Sequence, residues 1–218
     1  MNFALNQSIK IFISSFIILI IGITTIYYIN YNDLLNEHLK LSKNAAHEIS
    51  VGMEQHLLEK VKTTRTIAVT PIVLQSLKKS NEHYSLLSEQ IRDKEIQSKN
   101  EKWKSIKEID NPFILKYTNN AVSKYLKNQQ NNLVGEYGEI FITNKYGALI
   151  ASTAKLTTLA HSHKYWWKGA YNNGAGAVFF DDRGYDKSVG GYVLGIVIPI
   201  KSDDEIIGIL KVNLNILG

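Results

Sequence analysis

The residues best suited to chemistry in this 218-residue chain lie toward its C-terminal end, where aromatic and charged side chains recur a few positions apart. Tyr165, Trp166, Trp167 and Tyr171 come first, and Phe179-Phe180-Asp181-Asp182 follows. Aromatic walls with a carboxylate at their edge are the parts of a small-molecule pocket, since the rings bury area and the carboxylate accepts charge-assisted hydrogen bonds. On a helix, Trp166 and Trp167 point about 100° apart, so one belongs to the core and one to the pocket, and spacing alone does not say which. Tyr165 and Tyr171, the latter one turn beyond Trp167, line the same helix. On a strand, Phe179 and Phe180 point to opposite faces, and Phe180 is assigned to the pocket. Asp181 and Asp182 read as turn residues at the strand end, with Asp182, or Asp186, placed to accept from a ligand amine.

Other chemistries find no assembly. His161 and His163, with Asp181 or Asp182, have the residue types of a metal site, but a spacing of two on a loop is equally that of exposed histidines, and no metal is assigned. The chain has no Gly-rich phosphate loop, G-x-S-x-G elbow or H-E-x-x-H helix. Asp203-Asp204 falls in a hairpin turn. No catalytic residue and no cofactor is expected. The absence of cysteine removes disulfides, thiolate catalysis and cysteine metal sites together, and leaves the compartment open. The formal charge of +5 is spread over the surface and not clustered, which argues against nucleic acid as a partner.

These residues need elements to position them, and periodicity supplies a list. Residues 9–29 carry Lys10 and then no further charge for about the 20 residues a helix needs to cross a membrane. Tyr27, Tyr28 and Tyr31 suit the membrane–water interface better than a signal-peptide cleavage site. Lys10 before the span, with Asp33 and Glu37 after it, places residues 1–8 in the cytoplasm and residues 31–218 outside, at the inner membrane. Residues 33–69 form a long amphipathic helix with Asp33 as N-cap, and its stripe of Leu35, Leu39, Ala46, Ile49, Met53 and Leu57 suits packing on a second copy of the chain. Thr70-Pro71 ends it.

A helical cap follows over 72–132, with Tyr84, Leu87, Ile91 and Trp103 as one buried face and a single helix running from Phe113 through Leu126. From Glu139 the period becomes that of strands: a hairpin turning at Lys145-Tyr146-Gly147, then strands over 177–180, 192–200 and 205–215. The fold class is α+β: a long N-terminal helix and a five-stranded antiparallel sheet over 138–216 with flanking helices, preceded by a transmembrane helix. The absence of a long Gly/Ser linker implies one ectodomain.

In that order, the stretches Ile140-Phe141-Ile142-Thr143-Asn144-Lys145-Tyr146-Gly147-Ala148-Leu149-Ile150-Ala151-Ser152, Trp166-Trp167-Lys168-Gly169-Ala170-Tyr171-Asn172, Tyr185-Asp186-Lys187-Ser188-Val189-Gly190, Ile198-Pro199-Ile200 and Ile206-Ile207-Gly208-Ile209-Leu210-Lys211-Val212 resemble the Cache family. These are PAS-like extracytoplasmic sensor domains of bacterial chemoreceptors, sensor histidine kinases and cyclic-dinucleotide enzymes. The resemblance covers most of residues 31–218. It implies a homodimeric membrane receptor whose pocket binds a small amino acid, carboxylate or amine.

It also implies site residues. Lys164 stands where family members that bind amino acids carry an arginine, Trp166 and Trp167 match their aromatic pair, and Asn213 stands where they carry an aspartate. A neutral amide holds an ammonium group poorly, so an α-amino acid is less secure as ligand, while a carboxylate could meet Lys164 or Arg183. The resemblance further implies a second membrane helix after Leu217-Gly218 and an output module such as a kinase, so the chain reads as a fragment. Two other readings are a ligand-free dimerisation domain and a tethered hydrolase using the histidines.

Overall fold

A computed structural model describes residues 2–132, 135–186 and 190–215, so Lys187-Ser188-Val189 and the expected sheet position 216 lie outside the described residues. The chain divides into two compact units, Met1–Leu57 and Leu58–Gly218.

The described residues of the first unit are all helical, within α1 (Asn2–Ala68). Side chains over 9–29 are exposed and mostly apolar, with Lys10 as the one charge, and this is the one helix among the described residues long and apolar enough to cross a membrane. The hydroxyls inside the apolar stretch bond back to the helix itself: Ser14 donates to the Ile11 carbonyl at 2.8 Å and Thr25 to that of Ile21 at 2.8 Å. That removes the cost of carrying them into an apolar medium. The helix runs through Asp33, where the sequence pattern places an N-cap. With no proline before Pro71 and only Gly52 between the span and Ala68, nothing interrupts the backbone ladder, and Asp33 sits mid-helix.

In the second unit, Thr70 is extended and Pro71 opens α2 (Pro71–Ser85), the break that the X-Pro restriction dictates. α3 (Glu89–Ser105) is capped by Ser88, whose Oγ accepts from the Ile91 amide at 3.5 Å. On this cap Trp103 and Tyr84 are buried as the pattern requires, but Ile91 is exposed and Ile96 takes the buried place. The expected single helix over 113–126 is two, α4 (Pro112–Thr118) and α5 (Ala121–Asn132). Asn120 divides them: its Oδ1 accepts from the Ser123 amide at 2.8 Å and its Nδ2 donates to the Ile150 carbonyl at 2.9 Å. An asparagine that can cap a new helix and bond a strand outcompetes continuation of the old one.

The sheet contains β1 (Tyr137–Asn144), β2 (Leu149–Ser152), β3 (Phe179–Asp186), β4 (Gly191–Ser202) and β5 (Glu205–Asn215). All pairings are antiparallel, in the order β2-β1-β5-β4-β3. One face is apolar: Ile140, Ile142, Ile196, Ile198, Leu210 and Val212 pack with Ile67, Val73, Leu77 and Leu126 of the helices. The other face carries α6 (Tyr165–Tyr171) and the loop before it. Long N-terminal helix, helical cap and central five-stranded antiparallel sheet make the chain α+β, in the arrangement that the resemblance to Cache domains implies.

Candidate functional site

The α6 face is where polar groups enter the interior. Because side chains alternate along a strand and cross-strand partners share a face, the register fixes which residues meet. Asp181 of β3 lies opposite Gly195 of β4, Gly195 opposite Asn213 of β5, and Asn213 opposite Glu139 of β1. The next row is Phe179, Val197, Lys211 and Phe141. Asp181, Asn213, Glu139 and Lys211 are all buried. Four polar side chains, three of them ionisable, thus sit in the middle of one face of a sheet whose other face is hydrocarbon.

Their contacts tie the central strand β5 to the edge strand β3. Lys211 Nζ donates to Asp181 Oδ2 at 2.6 Å, with both side chains 4% exposed. Lys211 stands on β5 and Asp181 on β3, so the lysine stem must cross β4, and it does so over Gly195. A Cβ there would lie 2.8 Å from Lys211 Cε and 2.8 Å from Asp181 Cβ. Any side chain at this position would block the crossing. Asn213 Nδ2 approaches Glu139 Oε2 at 3.5 Å on the same row.

α6 forms the roof. Its N-cap Lys164 is extended, and Asn172 ends it in the left-handed region, where asparagine is tolerated. Gly169 allows the close seat: a Cβ there would meet the Phe179 ring at 2.3 Å. Both tryptophans are buried, so the choice between core and pocket resolves differently from the expectation. Trp166 lies over the ion pair, with Lys211 Nζ 4.7 Å from its ring centroid. Trp167 turns toward the end of β1, where its Nε1 donates to Thr143 Oγ1 at 3.0 Å, and it stacks on Tyr171 at 4.8 Å. Tyr165 is half exposed at the rim, its hydroxyl donating to Asp181 Oδ1 and its ring edge-on to Phe179.

His161, on the loop before α6, completes the cluster. It is 3% exposed, with ring centroids 5.5 Å from Trp166 and 5.1 Å from Phe141. Neither ring nitrogen has a hydrogen bond within ordinary distance and angle limits, and the backbone of Thr158 is the polar group that acts on the ring. Burial lowers its pKa to about 3, and the positive charges of Lys164, Lys211 and His163 push the same way, so the imidazole is neutral. A buried neutral imidazole without a partner is a polar group in want of a ligand or a water. His163 is exposed, so the two histidines do not converge on one point.

The sequence-derived candidates therefore divide. Trp166, Tyr165 and Asn213 meet at this face, Lys164 flanks it, and Trp167 and Tyr171 buttress it. Phe180 and Asp182 are elsewhere: Phe180 pairs with Ile196 of the opposite face and is 39% exposed, and Asp182 is exposed. Their neighbours Phe179 and Asp181 take the inward places. β3 does not end at the aspartates but continues to Asp186 past a register shift between Asp181 and Gly184. The reason is electrostatic: an aspartate inside a strand is tolerated once Lys211 neutralises it, and Lys211 is distant in sequence. The side chains of Arg183 and Asp186 are outside those described.

Lys211 and Glu139 are the functional candidates that sequence reasoning missed, while Asp181, which reads as a turn residue, and His161, which reads as one of a pair of exposed histidines or metal ligands, are both buried in this cluster. One signal was available, a lysine and an asparagine at alternate positions of the otherwise apolar run Ile206 to Leu214.

A separate surface pocket of about 480 Å³ lies among α2, α3, α4 and β2, lined by Tyr84, Tyr117, Lys99, Glu95, His83 and Asn120 among others. Three of its charged or titratable groups engage one another: Glu95 pairs with Lys99 at 2.5 Å and with His83 at 3.0 Å, and the Lys99 hydrogen bond holds its carboxyl below the usual range.

By element order and strand order the architecture is α+β, with a helical cap and a central five-stranded antiparallel sheet. Among solved structures, the ligand-binding domain of the Campylobacter jejuni chemoreceptor Tlp3 in complex with L-norvaline is similar at 15% identity, over 74% of this chain and 59% of that one, with a TM-score of 0.35. The Tlp3 sensory domain with isoleucine bound gives 19% identity over 67% of this chain and 64% of that one, with a TM-score of 0.35. The sensor domain of the Vibrio cholerae histidine kinase DctB gives 13% identity over 85% of this chain and 57% of that one, with a TM-score of 0.40. This chain thus spans about three fifths of the length of the first of these. No family model and no curated protein matches the sequence.

Proposed function

We propose that the chain is the membrane-anchored sensor part of a bacterial signal-transduction receptor, with residues 31–218 outside the cytoplasmic membrane and a small polar metabolite bound on the α6 face. The observation that carries this reading is the buried polar cluster itself. An ion pair, an amide, a carboxylate and an unpartnered imidazole under a tryptophan cost desolvation that a purely structural sheet face would avoid. Perturbed and convergent polar groups of this kind mark binding sites.

The exposed apolar wall over 9–29 supports insertion in the membrane. Leu35, Leu39, Ile49 and Met53 are exposed on α1, and a second copy of the helix is the natural cover for them. Signalling requires the ligand to favour one dimer arrangement by its differential affinity, with α6 and β5 as the elements that respond. No catalytic role is assigned to these residues, and the output belongs to a partner module.

The test is a thermal-shift screen of the detergent-solubilised chain against amino acids, carboxylates, amines and nucleobases. A bound compound raises the melting point, and Tyr165→Phe, which removes a rim contact to Asp181 without opening the core, weakens that rise. A screen in which no class stabilises the protein, with melting unchanged at millimolar concentrations, would sink the sensing reading in favour of a ligand-free dimerisation domain.

A further inference from the structure

The α6 face already contains a cation, and the chain supplies it. A carboxylate beside the face of a tryptophan is the arrangement that best holds an ammonium group, through a charge-assisted hydrogen bond and a cation–π contact. Here Asp181 Oδ2 and the Trp166 ring offer both, and Lys211 Nζ takes both, at 2.6 Å and 4.7 Å. The second oxygen of Asp181 is engaged by the Tyr165 hydroxyl. The lysine reaches across an intervening strand to do this, through the space that Gly195 leaves open. A hydrophobic pair of equal volume would hold the sheet as well without the desolvation cost, so stability alone does not account for the arrangement.

Of the groups that remain, Glu139 and Asn213 approach one another on the same row at 3.5 Å, and the other is the imidazole of His161. His161 is buried beside Trp166 without a hydrogen-bond partner of good geometry, and Lys164 and Lys211 make its surroundings electropositive. An imidazole in a positive field is suited to donate to an anion.

We propose that Lys211 is a built-in occupant of the ammonium position of this site, and that it restricts the site to carboxylates that carry no ammonium group. The inference rests on the reading of the α6 face as a ligand site, and it adds the class of ligand and the residue that selects it. A free amino acid would have to displace Lys211 from Asp181 and strand a buried ammonium, whereas its des-amino counterpart would not.

Two measurements on the full chain in detergent test this. The first needs no knowledge of the natural ligand. Lys211→Ala vacates the ammonium position, so its melting temperature falls by several degrees, and n-propylammonium chloride, which matches the three carbons and nitrogen removed, restores it saturably. The same salt leaves the wild type unmoved, and the Asp181→Asn/Lys211→Ala double variant is not rescued. Should Lys211→Ala not fold, Lys211→Met keeps the stem volume and methylammonium replaces propylammonium as the probe.

The second compares 3-methylbutanoate with valine, which differ only in the ammonium group. The wild type is expected to bind the acid at least tenfold more tightly than valine, and Lys211→Met to gain at least tenfold for valine. Absence of amine rescue overturns the inference, as does a wild type that binds valine as tightly as 3-methylbutanoate. Rescue in a protein that no small carboxylate stabilises would instead leave Lys211 as the occupant of that position and remove the sensing reading.

Discussion

The two faces of the sheet are built from the same strands and differ in almost everything else. On the face covered by α2, α5 and the end of α1, Ile140, Ile142, Ile196, Leu210 and Val212 meet Leu77 and Leu126 in hydrocarbon contact. On the face under α6, the residues one step along each strand are Glu139, Phe141, Asp181, Gly195, Lys211 and Asn213. The first face has what folding needs, since burial of apolar area drives it. The second carries charges that folding alone would not select. The difference teaches that apolar packing and buried charge are separated here by strand alternation: a one-residue step exchanges the two.

That separation can be attacked from either side, and the largest effect is expected at the ion pair. Lys211→Ala or Asp181→Asn leaves a buried partner uncompensated and should cost roughly 3–5 kcal/mol in chemical denaturation. The apolar double variant Asp181→Leu/Lys211→Met should recover most of that loss while abolishing ligand-induced stabilisation. A double variant that still binds would dissolve the contrast between the faces.

On the hydrocarbon face, Leu77→Ala should cost about 2–5 kcal/mol through lost burial and a cavity, since Leu77 is 0% exposed. Ligand affinity, measured by calorimetry well below the melting point, should stay within twofold. A large affinity change there would mean that the faces are coupled more tightly than their chemistry suggests.

Acid provides a smaller and graded test. The His161 pKa is about 3 in the fold, against an ordinary value near 6.5. Between those values the unfolded chain binds a proton that the native chain does not, so this residue's contribution to stability is complete above about pH 6.5 and is lost as pH falls toward 3. The slope approaches about 1.4 kcal/mol per pH unit. Asp181, Lys164, Lys211 and His163 also act on the region, so the comparison must be made against His161→Phe, which should flatten the slope between pH 6 and 4.5. An unchanged slope in that variant would place the acid sensitivity elsewhere.

The smallest effects are expected where the sequence pattern first pointed. Asp182→Asn is exposed and should change stability by no more than about 0.5 kcal/mol and ligand binding not at all. If it abolished binding, the assignment of Asp181 over Asp182 would be reversed.

This last pair shows how far the sequence can be read. The apolar runs of β4 and β5, the hairpin at Gly147 and the break at Thr70-Pro71 are local signals, and each stands close to where periodicity and turn chemistry put it. Tyr165, Trp166 and Asn213 could be named because aromatic clusters and the family resemblance mark positions. The parity of β3 could not be read locally. Phe179-Phe180-Asp181-Asp182 alternates equally well in either register, and only Lys211, crossing from β5, decides which aspartate is inside. Asn120 shows the same limit in the cap, dividing a helix by bonding the Ile150 carbonyl thirty residues away.

Trp103, Trp166 and Trp167 are the protein's three tryptophans, and they report on different places. Trp166 covers the Lys211–Asp181 pair, Trp167 stacks on Tyr171, and Trp103 packs edge-on against Tyr117, which lines the surface pocket of the helical cap. The most direct test of the α6 site is the indole ¹H–¹⁵N spectrum of the full chain, each resonance assigned by Trp→Phe substitution, during titration with any compound that raises the melting point. The expected result is a saturable shift of the Trp166 resonance, a lesser one of Trp167, and an unmoved Trp103. A shift confined to Trp103 would contradict it and place the ligand in the cap pocket.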